Sequence, residues 1–335
     1  MTRTTLVTGG SGFIGQYLVS ELVTRGRKVR VLDVRAPSRS SPAVEFVEGS
    51  VLDTARVNDA VAGADEIYHL AGLPGMWKLD RAEFHDVNFI GTRNVLAAAR
   101  QRCEVPFLHC STESILFHAP QPGDVAAEEA TLSVDDMPGP YTRSKMLADE
   151  LALQAAASGF PVIVGCPTMP IGPHDHNVTP PTAMLQYFLG GGSLQLYLDF
   201  MVNFVDVRDV AKGLVLAMEK GRVGHRYVLG GESLPLSRVL ALMATVSGRR
   251  RLLMRVPGCI AELSARFMEL KADHVTGRAP SATVEGVRIA RRATALSVEK
   301  ARCELGYAPR PVEPLLQEII AHMLGVSPSE VLEHA

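Results

Sequence analysis

At 335 residues and 47% hydrophobic content, the chain is long enough for one large or two modest domains around a sizeable core. Thirty-four basic against 36 acidic residues leave a formal charge of −2, which excludes a basic footprint for nucleic acid. No apolar run approaches a membrane span, the amino terminus leaves no room for a signal peptide, and Cys103, Cys110, Cys166, Cys259 and Cys303 form no Cys-x-x-Cys pair, so a cytoplasmic protein with reduced, mostly buried thiols is expected.

The first element, Thr4–Thr8, reads as an apolar strand that breaks into Gly9-Gly10-Ser11-Gly12 and then into a helix opened by Phe13, Ile14 and Gly15. Gly9 permits the tight turn, Gly12 lets the backbone approach a pyrophosphate, and Gly15 lets the helix pack on the strand. The free N–H groups of the helix start face the anion. A second strand, Val29–Asp33, ends in a carboxylate 21 residues after Gly12, where it can accept hydrogen bonds from the adenosine ribose. Asp33 favours NAD because it repels a 2′-phosphate, while Arg35 keeps NADP open.

After a Pro/Ser/Arg-rich loop, Val44–Glu48 alternates as a strand, and Ser50 and Val51 form a turn that can close over an adenine. A helix from Asp53-Thr54 to about Ala62 precedes the strand Glu66–Leu70. Leu70, Ala71 and Gly72 then let a cofactor approach the strand end. The loop Gly72–Asp80 carries Met76 and Trp77, and Trp77 reads equally as substrate wall or as a plug between loop and helix.

Arg81–Arg102 is helical, with Phe84, Val87, Asn88, Gly91, Val95 and Ala98 on one stripe. The strand Pro106–Cys110 delivers Ser111, Thr112, Glu113 and Ser114 to the same sheet edge. A long loop of acidic residues and prolines leads to a helix from Tyr141 to about Ala157, then to the strand Pro161–Gly165. The run Cys166–Pro173, which includes Pro167 and Met169, reads as a stiff, non-helical loop. Beyond it, Pro180–Leu189 reads as a helix, Val202–Val207 and Arg226–Leu229 as strands flanking a helix from Arg208 to Glu219. Four more helices are expected at Pro235–Ser247, Pro257–Lys271, Ser297–Leu305 and Val312–Leu324. The fold class is α/β, a doubly wound parallel sheet over residues 1–166 with a smaller substrate lobe over 167–335, some segments near 200–230 returning to the first domain.

Tyr141 and Lys145 stand four apart and share one helix face. A neighbouring ammonium favours the phenolate and moves a pKa of about 10 towards the range of proton exchange with an alcohol or ketone. Thr112 can hydrogen-bond the same substrate oxygen. His174-Asp175-His176 in a proline-rich loop is assigned no metal.

The glycine loop, Asp33, His69-Leu70-Ala71-Gly72, Thr112 and Tyr141-x-x-x-Lys145 resemble the extended short-chain dehydrogenases/reductases over nearly the whole chain. Val134–Met137, Pro170–Pro173 with Thr179-Pro180, Val205–Ala211 and Arg226–Glu232 are similar to the hopanoid-associated sugar epimerase and dihydroflavonol-reductase-like group. The resemblance implies a Rossmann domain, a Thr112-Tyr141-Lys145 catalytic set with Lys145 on the nicotinamide ribose, and a homodimer built on the helices near Arg81 and Tyr141. Val202-Asn203 replaces the Arg-Asp with which nucleotide-sugar epimerases of the family grip a diphosphate. Thr112-Glu113-Ser114 replaces the Thr-Asp-Glu of its dehydratases, and Ser50 replaces a common Asp near the adenine. The expectation is an NAD(P)-dependent oxidoreductase acting on a small, largely apolar cyclic substrate beside Met76, Trp77, Glu113, Met169, Tyr187 and Phe188. A sugar epimerase and a non-catalytic nucleotide sensor are the alternatives.

Overall fold

The computed structural model describes residues 3–37, 41–102, 104–117, 124–190, 192, 194–248 and 251–325. Its first half alternates strand and helix: β1 (Thr4–Thr8), α1 (Phe13–Thr24), β2 (Lys28–Asp33), β3 (Val44–Glu48), α2 (Thr54–Val61) and β4 (Glu66–His69). Then follow α3 (Ala82–Phe84), a π-turn His85–Ile90, α4 (Gly91–Arg100), β5 (Phe107–Cys110), β6 (Val125–Ala126), α5 (Pro140–Ala157) and β7 (Val162–Pro167). The local chemistry explains several boundaries. Asp53 caps α2 by accepting from the amides of Ala55 and Arg56. Pro140 occupies the first position of α5, where its missing N–H costs nothing.

The second half holds β8 (Met169–Ile171), α6 (Pro180–Gly190), β9 (Leu194–Tyr197), β10 (Met201–Asp206), α7 (Val207–Lys220), β11 (Arg226–Leu229) and β12 (Ser233–Pro235). It ends with α8 (Leu236–Ser247), β13 (Leu252–Arg255), α9 (Gly258–Lys271), α10 (Val284–Arg292), β14 (Ala295–Leu296) and α11 (Val312–Leu324).

Seven strands form one parallel sheet in the order β3-β2-β1-β4-β5-β7-β11. The chain order reverses between β1 and β4, which opens a crevice at their carboxyl ends. Successive residues of a strand face opposite sides, so Leu6 and Leu32 enter a core shared with α2, α4 and α5, while Val7 and Val31 enter one shared with α1 and α7. A third apolar cluster joins α6, β10, α8 and α11.

The structure corrects four expectations. Residues 169–171 are not loop but strand, because β8 runs parallel to β10. Within 297–305 the helical stretch begins at Glu299 rather than Ser297 and finishes as a π-turn, Ala301–Leu305. The helix α10 went unread because Glu285, Gly286, Arg288, Arg291 and Arg292 leave it few apolar residues, although Thr283 accepting from Gly286 N is a regular N-cap signal. Cys259 and Cys303 are exposed, so the thiols are not mostly buried, and Cys103 lies outside the described residues.

Candidate active site

At the nucleotide end of the crevice, Gly9 adopts φ +72° and lies so close to the end of β4 that a Cβ would come 2.6 Å from Ala71 N. A Cβ on Gly15 would stand 2.2 Å from Gly9 O, so α1 can leave β1 at this angle only with glycine at both places. Asp33 Oδ2 accepts from Ser11 N at 3.0 Å and its Oδ1 from Arg35 N at 3.2 Å, tying the glycine loop to the end of β2. Among the described residues no side chain caps the start of α1, and the buried Ser11 Oγ has no partner. An uncapped helix start beside an orphaned hydroxyl fits a dinucleotide pyrophosphate.

Around this cradle Phe13 is buried against Tyr17 and Ile14 is half-buried. Thr8 Oγ1 accepts from Ala71 N at 3.2 Å, while Leu70 is half-buried and Gly72 exposed. The exposed Arg35 reaches across to Asn177 Oδ1 at 2.9 Å. Ser50 Oγ accepts from Leu52 N, and Val51 turns its side chain into the core against Gly91. Pro167 is buried at the end of β7.

At the other end, β5 delivers a single 3₁₀ turn, Glu113–Ile115, capped by Thr112. Thr112 Oγ1 donates to Glu113 Oε2 at 3.2 Å, and burial pushes the Glu113 carboxyl up to about 7. Tyr141, on the first turn of α5, packs edge-on against Phe84. The Tyr141 ring is partly exposed but its hydroxyl end is enclosed, and burial drives the phenol well above its ordinary range, with the Thr112 side chain pulling the other way. Lys145 donates to Cys110 O at 2.8 Å, and its own pKa is lowered by burial. The ammonium thus points at the strand end and the phenol at Thr112. Burial, not Lys145, dominates the state of the phenol.

Two carboxylates that local pattern did not single out hold this end together. Glu285, on the first turn of α10, accepts from Thr142 N at 2.7 Å, Tyr141 N at 3.2 Å and Thr142 Oγ1 at 2.7 Å. It satisfies the orphan amides at the start of α5, under the catalytic candidate itself. Asp273 accepts from Trp77 Nε1 at 2.9 Å and pairs through both oxygens with Arg81, whose guanidinium lies 5.4 Å from the Trp77 ring centroid. Trp77 therefore clamps the 72–81 loop to the carboxy-terminal lobe. Met76 packs on the α2/α4/α5 core, its sulfur beside Gly286.

On the lobe side Met169 is half-buried and Tyr187 is 46% exposed on α6. Phe188 is 8% exposed and belongs to the lobe core, so it is not available to line a substrate cleft. Val202 is 1% exposed in that same core, and its side chain says nothing about what the cleft grips. Asn203 beside it joins three segments through Thr168, Gly231 and Ser233. Asp175 accepts from Thr179 N and Oγ1, just ahead of α6. His174 and His176 line, with His322, an open cavity of about 480 Å³. Among the described residues no group of three or more His, Cys, Asp or Glu is placed to hold a metal ion, and no helix is long and apolar enough to cross a membrane.

Comparison with known proteins agrees with this geometry. Residues 5–230 match the profile of the NAD dependent epimerase/dehydratase family. A protein of Synechocystis sp., provisionally named a dihydroflavonol 4-reductase, is 31% identical over 94% of this chain and 92% of its own length. The 4-hydroxy-2-methyl-3-oxo-4-farnesyl-3,4-dihydroquinoline-1-oxide ketoreductase of Stigmatella aurantiaca is 32% identical over 91% of this chain and 92% of its own. The crystal structure of gox2253 superposes with a TM-score of 0.81 at 28% identity, covering 97% of this chain and 98% of that one. The chain belongs to the NAD-dependent epimerase/dehydratase family of extended short-chain dehydrogenases/reductases, and is an NAD-dependent oxidoreductase or epimerase with a Rossmann-type sheet.

Proposed function

We propose that the protein is a reductase or dehydrogenase that interconverts a ketone and a secondary alcohol on a small, largely apolar cyclic substrate. One observation carries this reading: Thr112, Glu113 and Tyr141 meet at the carboxyl edge of the sheet, so a proton can be exchanged where a substrate oxygen would sit. Tyr141 gives its proton to the ketone oxygen in reduction and takes it back in oxidation. Thr112 orients that oxygen. Glu113, with a pKa of about 7, is poised to pass a proton through the Thr112 hydroxyl. Lys145 would hold the nicotinamide ribose, and the Gly9–Gly15 cradle with Ser11 the pyrophosphate, with Asp33 on the adenosine side. Bound NAD(H) supplies or takes up the hydride.

Support for an apolar substrate comes from the reductase and ketoreductase names of the relatives and from the engagement of nearby cations. Lys78 pairs with Glu83, Arg81 with Asp273, and Arg288 and Arg291 with Glu262. An apolar ring gains about 25 cal/mol for each Å² it buries on Met76, Trp77 or Met169. The test is NADH absorbance with purified protein. Alicyclic and aromatic ketones should be turned over with net NADH consumption, and UDP-sugars should not. Epimerisation of a UDP-sugar without net NADH change would instead make the protein an epimerase. Tight NADH binding with no turnover of any ketone, and no change on replacing Tyr141, would make it a sensor.

A further inference from the structure

The helix α9 is turned inside out. The residues it directs at the protein are small or charged: Ala265 and, just past its end, Ala272 are buried, Glu262 bonds Arg288 and Arg291, and Glu269 accepts from Val284 N. Its outer face carries Ile260, Leu263, Phe267 and Leu270, at 54, 56, 65 and 53% exposure, spaced three, four and three residues apart as one helical stripe. Val275, just beyond, is 76% exposed. A parallel two-stranded sheet, whose second strand runs directly into α9, carries further exposed apolar side chains. In β9 and β13, Leu194 pairs with Leu252 and Leu196 with Met254, and all four side chains are about half exposed or more, 47% at the least. Only Val256 and Pro257 separate this pair from α9. A soluble monomer scatters such side chains singly and does not align them.

Charge says what covers this face. Residues 249–292 hold ten Lys and Arg against four Asp and Glu, a formal +6, against −8 for the remainder of the chain. All four carboxylates are engaged within the protein: Glu262 by arginines, Glu269 by Val284 N, Asp273 by Trp77 and Arg81, and Glu285 by the start of α5. Arg255, Arg266, Lys271 and Arg278 are exposed. A second copy docking the same face across a two-fold axis would bring two such positive surfaces together.

We propose that α9 and the parallel β9–β13 pair form a peripheral attachment site for an anionic lipid surface. The apolar stripe enters the headgroup–acyl boundary, and the basic residues stay at the level of the lipid charges. This inference concerns a surface outside the cleft and stands apart from the choice of substrate.

Sedimentation of the full chain with vesicles tests it. Vesicles of equal phosphatidylglycerol and phosphatidylcholine should bind at least about tenfold more protein than pure phosphatidylcholine vesicles, an excess that falls as salt is raised. L263S/F267S should lose binding to both vesicle types, and R255E/K271E should lose the excess for phosphatidylglycerol. Both variants should keep wild-type NADH binding, read by fluorescence, because the changed side chains are exposed. Equal binding to the two vesicle types, no binding, or unchanged binding by either variant overturns the proposal. A lipid-free dimer, seen by light scattering and lost in L263S/F267S, overturns it in favour of a second copy.

Discussion

The two ends of the crevice are built differently. At the nucleotide end the parts come from one stretch of chain: Gly9, Ser11, Gly15 and Asp33 lie within 25 residues, and the hydrogen bond from Ser11 N to Asp33 closes the unit. At the chemical end Tyr141 is seated by a carboxylate 144 positions away, and Trp77 by one 196 positions away. A local cradle survives changes elsewhere, because its geometry follows from glycine at fixed positions. A site assembled from distant elements depends on how the carboxy-terminal lobe packs, so its catalytic and structural residues are hard to separate.

The sharpest way to break this contrast is Tyr141→Phe, which keeps the ring against Phe84 and removes the exchangeable proton. Turnover of an identified ketone should fall by roughly 10²–10⁴ while NADH affinity is unchanged. A loss of NADH binding would mean that the two ends are not separable.

Glu113 gives a pH signature next in size. The unfolded chain releases this proton near 4.5 and the folded chain near 7, so between those values the folded state binds more protons and stability falls as pH rises. The loss should be about 3 kcal/mol over that window. Denaturant titrations should show this slope in the wild type and a flatter one in Glu113→Gln. Identical slopes would remove Glu113 from the proton-handling group.

Glu285→Ala leaves the Tyr141 and Thr142 amides without their acceptor and should cost about 1–3 kcal/mol of stability by urea denaturation. Glu285→Gln retains the shape and should cost less. In that variant kcat should fall more than KM changes, because the helix start under Tyr141 loosens while the substrate wall stays.

The smallest effect is expected at the local end. Asp33→Ala should narrow the preference of NAD(H) over NADP(H) and, by releasing Ser11 N, weaken NADH binding by about tenfold, as loss of one hydrogen bond to a charged group implies. Fluorescence titration measures both. Unchanged affinities would show that the glycine loop holds its shape without the carboxylate.

The sequence by itself determined what depends on neighbours along the chain. The glycine loop followed by Asp33, the alternation of buried strands with helices, and the Tyr141-x-x-x-Lys145 spacing are all readable, since backbone conformation, helix periodicity and strand burial act over a few residues. Tertiary structure alone decided which residues meet. It placed Val202 and Phe188 in the lobe core and not at the cleft, made a strand of Met169–Ile171 by giving it β10 as a partner, and aimed Lys145 at Cys110 O. It also set Glu285 under Tyr141 and turned the apolar side of α9 outward. The physical reason is the same in each case: a side chain's burial, pKa and partners are set by elements far away in sequence, and no local pattern records which elements those will be.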